Sequence, residues 1–198
     1  MATIVATVGS ASANSYVTKA EADAYFATRL YPESWDGAAD PEAALIMATR
    51  VLDMALSGQT YYEAPSVNNR GQSTAGMLRT RPSWTGEAAS ETQALAWPRT
   101  GMLNRNKFSI ASDVLPRELK EATCELAYQL LKGDRTADND AAVQGITGIK
   151  AGSVQLSFKD SGIEATKVLP DGVLMLLVPS WMSDETVQGA QSASFELL

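Results

Sequence analysis

The chain has 198 residues, 45% of them hydrophobic, enough for one packed domain with extensions or two small ones, and too apolar for disorder throughout. It contains no histidine and a single cysteine, Cys124, which excludes Ser-His-Asp and Cys-His catalysis, ordinary zinc sites and an internal disulfide framework. The net charge of −7 runs opposite to the usual balance of a duplex-binding domain.

The charge is unevenly spread. Between Ala64 and Ile110 stand Arg70, Arg79, Arg81, Arg99, Arg105 and Lys107 against Glu87 and Glu91, so this segment carries +4 and the remainder −11. Local basicity in an acidic chain points to an acidic partner or to nucleic acid passing nearby. No apolar stretch reaches the roughly 18 residues of a membrane helix. The opening "MATIVATVGSASA" has no basic start and is not expected to be a signal peptide.

In chain order, "TIVATV" predicts a short strand or extended arm, broken by "GSASANS". Thr18 with Glu21 three residues on forms a capping-box pattern that starts a helix over 19–29. "YPESWDGAAD" predicts a loop. Asp40 and Pro41 then suit the N-cap and first turn of a helix over 41–56, in which Leu45, Ala48, Leu52 and Ala55 recur at the spacing of one buried face. Residues 57–92 are polar and Gly-rich without a clear period, and predict an insertion; its aromatic residues Tyr61, Tyr62 and Trp84 favour ordering by a partner over a solvated linker. In "QALAWPRTG", Pro98 fixes its own φ and Gly101 lets the chain turn, so Trp97, Pro98 and Gly101 predict a stiff joint. Trp97 reads as a packed anchor rather than a base platform. Arg99 reads as a salt-bridge or backbone-capping residue, with a phosphate contact as the alternative.

A third helix is expected over 116–132, with Leu115, Leu119, Ala122, Leu126 and Leu130 as its apolar stripe and Cys124 as a buried, inert thiol within it. "DRTADNDAAVQG" predicts a linker; its acids lack the glycine and glutamate of a calcium loop. Val154, Leu156 and Phe158 alternate with polar residues as in a half-buried strand, which needs an edge to pair with, on this chain or another. Val173, Leu174, Leu176, Leu177 and Trp181 make a short apolar helix over 170–178 that docks either on the core or on a neighbour, and a loose tail is expected after Ser183. These elements together predict a mainly α fold: a bundle of three or four helices over 1–135 with the insertion 57–92, then a C-terminal arm over 136–198.

Five segments in this order, "ANSYVTKAEADAYFATR", "EAALIMATRVLD", "QALAWPRTG", "LPRELKEATCELAYQLL" and "GIKAGSVQLSFKD" with "LLVPSWM", resemble a group of tailed-bacteriophage proteins. The group is described both as head-tail connectors (portal adaptors) and as DnaT-like single-stranded DNA-binding proteins. The first description implies a non-enzymatic ring, a dodecamer, that seals the DNA channel beneath the portal in the virion neck after assembly in the host cytoplasm. Its partners would be further copies, the portal, and tail, stopper or nozzle proteins, with genomic DNA crossing the lumen and no membrane or cofactor involved. Val154, Leu156, Phe158, Val173, Leu174, Leu176, Leu177 and Trp181 would then meet the portal or a neighbouring subunit. Arg70, Arg79, Arg81, Arg99, Arg105 and Lys107 would meet DNA, channel or tail protein. The second description implies phosphate contacts by the same cations, with Trp84 and Trp97 stacking on bases. The balance of core acidity and helical packing favours the connector at this level.

Overall fold

A computed structural model describes residues 2–63, 66–67, 73–74, 76–134, 148–151, 154–157, 168–183 and 186–188. Helix α1 (Lys19–Phe26) opens on the expected capping box: Thr18 Oγ1 accepts from Glu21 N at 3.2 Å, and Thr18 N donates to Glu21 Oε2 at 2.9 Å. Two orphan amides are satisfied reciprocally. The stretch expected to be a plain loop contains a single helical turn, α2 (Glu33–Asp36), whose Trp35 is buried and stacks on Phe26 with centroids 4.5 Å apart. Helix α3 (Pro41–Ala55) starts as expected, Asp40 Oδ1 accepting from Ala43 N at 3.1 Å with Pro41 in the first turn. Its Leu45, Ala48, Val51 and Leu52 are buried.

Between α3 and the next long helix the described residues form six short strands: β1 (Thr60–Glu63), β2 (Ser66–Val67), β3 (Ser73–Thr74), β4 (Met77–Thr80), β5 (Glu87–Ala88) and β6 (Arg99–Thr100). Helix α4 (Arg117–Lys132) follows, with Pro116 just before its first turn, and packs along α3. Its buried stripe is Leu119, Ala122, Leu126 and Ala127, and Cys124 lies in the same interior. Burial pushes the Cys124 thiol up to about 12, so it stays protonated and inert at neutral pH. Arg29, just past the end of α1, pairs with Glu125 of α4, with Nε–Oε1 2.7 Å and Nη2–Oε2 3.1 Å, and Tyr25 OH of α1 donates to the same carboxylate at 2.9 Å. The remaining elements are β7 (Gly148–Ala151), β8 (Val154–Ser157), α5 (Asp171–Leu174), a 3-10 turn at Pro179–Trp181 and β9 (Thr186–Gln188).

All strand pairs among the described residues are antiparallel. Among the described residues they form one three-stranded sheet in the order β1-β4-β9 and three two-stranded pairs, β2-β3, β5-β6 and β7-β8. The fold is therefore mixed α/β and corrects the expectation of a mainly α bundle. The cause is strand length. Two- to four-residue strands are too short to display a period of two, so a segment rich in them reads as irregular. Two open expectations are settled with it and one changes. "TIVATV" joins no sheet; its extended backbone is instead tied to Asn14, with Asn14 N donating to Val5 O and Val5 N to Asn14 Oδ1, both at 2.8 Å. The strand at Val154 finds its edge in the chain itself, pairing with β7 so that Ile149 faces Leu156. The tail after Ser183 contains β9, which adds to β4 with Leu78 opposite Gln188 and Thr80 opposite Thr186.

Candidate nucleic-acid interface

The WPRTG joint is built into the core. Trp97 is 1% exposed, Pro98 is buried behind it, and the bond between them is cis. Trp84 and Trp181 flank the Trp97 ring at centroid distances of 5.7 and 5.0 Å. The backbone entering the joint is held by a buried polar chain. Tyr16 OH donates to Asp53 Oδ1 at 2.5 Å and accepts from Trp97 N at 3.2 Å, while Ala96 N donates to Asp53 Oδ2 at 3.1 Å. Burial raises the Asp53 carboxyl above the usual carboxylate range, outweighing the donors that face it and the nearby Arg99. Gly101, at φ 76°, turns the chain out of the joint.

Arg99 faces inward. Its Nε donates to Thr85 O at 2.6 Å, Nη1 to Ala96 O at 3.0 Å and Nη2 to Gly86 O at 2.8 Å. With a longer donation from Nη2 to Trp84 O at 3.5 Å, the guanidinium clamps four loop carbonyls and has little left for a phosphate. Trp84 and Trp97 are interior side chains, so neither offers a face to a base. The apolar positions of the C-terminal region divide similarly. Val173, Leu177 and Trp181 are buried in the same cluster as the helices, and Leu174 and Leu176 pack against it partly exposed. Trp181 Nε1 donates to Leu103 O at 2.7 Å. Residues 168–182 of the expected arm thus complete the chain's own core. Val154 and Leu156 lie in the β7-β8 hairpin. Arg70 and Phe158, with the linker beyond Asp134, lie outside the described residues.

The surviving basic positions occupy two places. Arg105 and Lys107 sit on a turn after β6, where Arg105 Nη2 donates to Met175 O at 3.0 Å and Leu176 O at 2.7 Å. Below that turn is an open groove of about 460 Å³ lined by Arg105, Asp171, Leu174, Met175, Leu177 and Pro179. Arg79 belongs to the sheet, and Arg81 stands just past the end of β4. In the β1-β4 pair, Tyr61 stands opposite Arg79, and Arg81 follows two residues on. Side chains alternate across a strand, so Tyr61, Arg79 and Arg81 share one face. The Arg81 guanidinium lies 5.4 Å from the Tyr61 ring centroid, within cation–π range. The opposite face carries Thr60 and Thr80, whose hydroxyls are 2.9 Å apart, together with exposed Tyr62 and Leu78. Sequence reasoning found both arginines and missed Tyr61 as their partner. Its signal, tyrosines in an otherwise polar insertion, was visible, but the pairing that aligns Tyr61 with Arg79 is non-local.

The mixed α/β chain thus presents an exposed tyrosine beside Arg79 of a small antiparallel sheet and Arg81 at its end. The chain belongs to the family described as "Putative DnaT-like ssDNA binding protein", which it matches over residues 1–68 and 71–194. That match carries the DNA-binding description and nothing of a portal ring, which reverses the order in which composition ranked the two descriptions. No curated protein and no solved structure matches the chain. No helix among the described residues is long and apolar enough to cross a membrane.

Proposed function

We propose that this protein binds single-stranded DNA through the Tyr61–Arg79–Arg81 face of its three-stranded sheet. The observation that carries the reading is the cross-strand placement of an exposed tyrosine with two arginines, in a chain whose family is described by that activity. Arginines set the register on the phosphates, and the tyrosine ring stacks on a base whatever its identity. The net charge of −7 opposes long-range steering toward DNA, so binding is local to the basic segment and weakens steeply with salt. No step of this function is catalytic. The test is fluorescence anisotropy of a labelled single-stranded oligonucleotide over a salt series. The double variant R79A/R81A should lower the slope of log affinity against log salt by about 1.4, from roughly 0.7 per lost phosphate contact. Absence of binding by the unaltered protein at low salt refutes the proposal.

A second reading is favoured by the charge partition. The chain outside 64–110 carries −11, and an acidic wall suits a channel past which DNA slides without sticking. Under this reading the protein is a connector ring in the neck of a phage particle, with further copies, the portal and tail proteins as partners. Purified particles lacking the chain would end it.

A further inference from the structure

We infer that the turn from Leu103 to Ser109 is a second single-strand contact, in which Phe108 stacks on a base and Lys107 meets the adjoining phosphate. The inference rests on the DNA-binding reading above and adds a site distinct from the sheet face.

The turn is rigid and projects its tip. Leu103 and Ser109 form an isolated bridge at its base. Asn104 N donates to Phe108 O at 2.9 Å, Lys107 N donates to Asn104 O at 2.9 Å, and Asn104 Oδ1 accepts from Asn106 N at 2.9 Å and Phe108 N at 3.0 Å. Lys107 takes φ 66°, a left-handed conformation uncommon outside glycine, and the closed turn holds it there. Two ties fix the turn to the body: Trp181 Nε1 to Leu103 O, and Arg105 to the carbonyls of Met175 and Leu176. On this mount Phe108 is 69% exposed and sits next to exposed Lys107.

An exposed phenylalanine on a pre-ordered turn contributes nothing to the core. Its charge setting selects the partner. From Gly101 to Ile110 the chain has two cations and no acid. The acidic residue that lines the groove with Arg105 is Asp171, which lies outside the turn. A protein-docking knob needs only apolar neighbours. With Arg105 committed to the carbonyls of Met175 and Leu176, the aromatic and adjacent Lys107 match one base and its neighbouring phosphate on a single strand. Because the turn is already ordered, little ordering entropy is lost on contact.

The experiment compares the full chain with F108A, F108W and K107A by anisotropy on the same labelled oligonucleotide across salt. Loss of one stacking contact predicts an affinity about 5- to 150-fold weaker for F108A with an unchanged salt slope. F108W should bind at least as tightly as the unaltered chain. K107A should lower the slope by about 0.7. The urea midpoint of F108A should match the unaltered protein, since the residue is 69% exposed. If the unaltered chain binds DNA and F108A binds it equally well, the turn is not a DNA contact and the sheet-face reading stands. If the unaltered chain binds no DNA at low salt, both readings fall together.

Discussion

Replacing Arg99 with methionine separates a clamp from a DNA contact. Methionine keeps much of the stem's packing and removes the three shortest donations to carbonyls, at 2.6, 2.8 and 3.0 Å, with the weak one to Trp84 O at 3.5 Å. A hydrogen bond from a charged donor contributes about 1.5–3 kcal/mol when well buried. Arg99 is only partly buried, so about 1 kcal/mol each is the appropriate scale, or about 3 kcal/mol in all. With a urea m-value of about 2 kcal/mol/M, the unfolding midpoint should fall by about 1.5 M. Trp84, Trp97 and Trp181 cluster directly behind the clamp, so tryptophan fluorescence reports the transition. Measured well below its new midpoint, R99M should bind the oligonucleotide as the unaltered chain does, because the guanidinium faces the loop and not the solvent. A midpoint moved by less than about 0.3 M together with lost DNA affinity would refute the clamp and return Arg99 to the interface.

Two further outcomes follow from the same region. Gly86 has φ 66°, and a Cβ there would lie 2.3 Å from Thr100 O and 2.8 Å from Met102 Sδ. Gly86→Ala must part the β5-β6 pair and should cost about 3 kcal/mol or more, whereas Gly101→Ala, at φ 76° with nothing within 4 Å, should cost only about 1 kcal/mol; equal thermal unfolding midpoints for the two variants would contradict this. Asp53 predicts a pH dependence. Its folded carboxyl holds the proton more tightly than the unfolded chain does, so its contribution is full below the ordinary carboxylate range and is lost as pH rises through the raised folded value. The stability of the unaltered protein relative to D53N should therefore decline over that window, by at most about 1.4 kcal/mol per pH unit; a difference that is flat or grows with pH counts against a buried, proton-holding Asp53.

What the chain declares locally, it declares clearly. Thr18 with Glu21, Asp40 with Pro41, and the leucine and alanine stripes of α3 and α4 are all legible, because capping and helical periodicity connect residues only three or four apart. Cys124 falls in such a stripe and is buried as its neighbours require. The two-residue pairs β2-β3 and β5-β6 and the β1-β4-β9 sheet are not legible, since their alternation is too short to register, whereas the alternation at Val154 and Leu156 in β8 is. β9 joins β4 from more than a hundred residues away, which is why a stretch expected to hang loose is sheet. The same distinction governs the site. Composition marks 64–110 as basic, but only the tertiary structure sorts its cations by direction: Arg99 is spent on carbonyls behind Trp97, Arg79 and Arg81 align with Tyr61 across a strand pair, and Lys107 stands beside Phe108 on a turn. Residue type sets what a side chain is able to bind. Non-local backbone pairing and burial decide whether it binds the protein itself or something outside it.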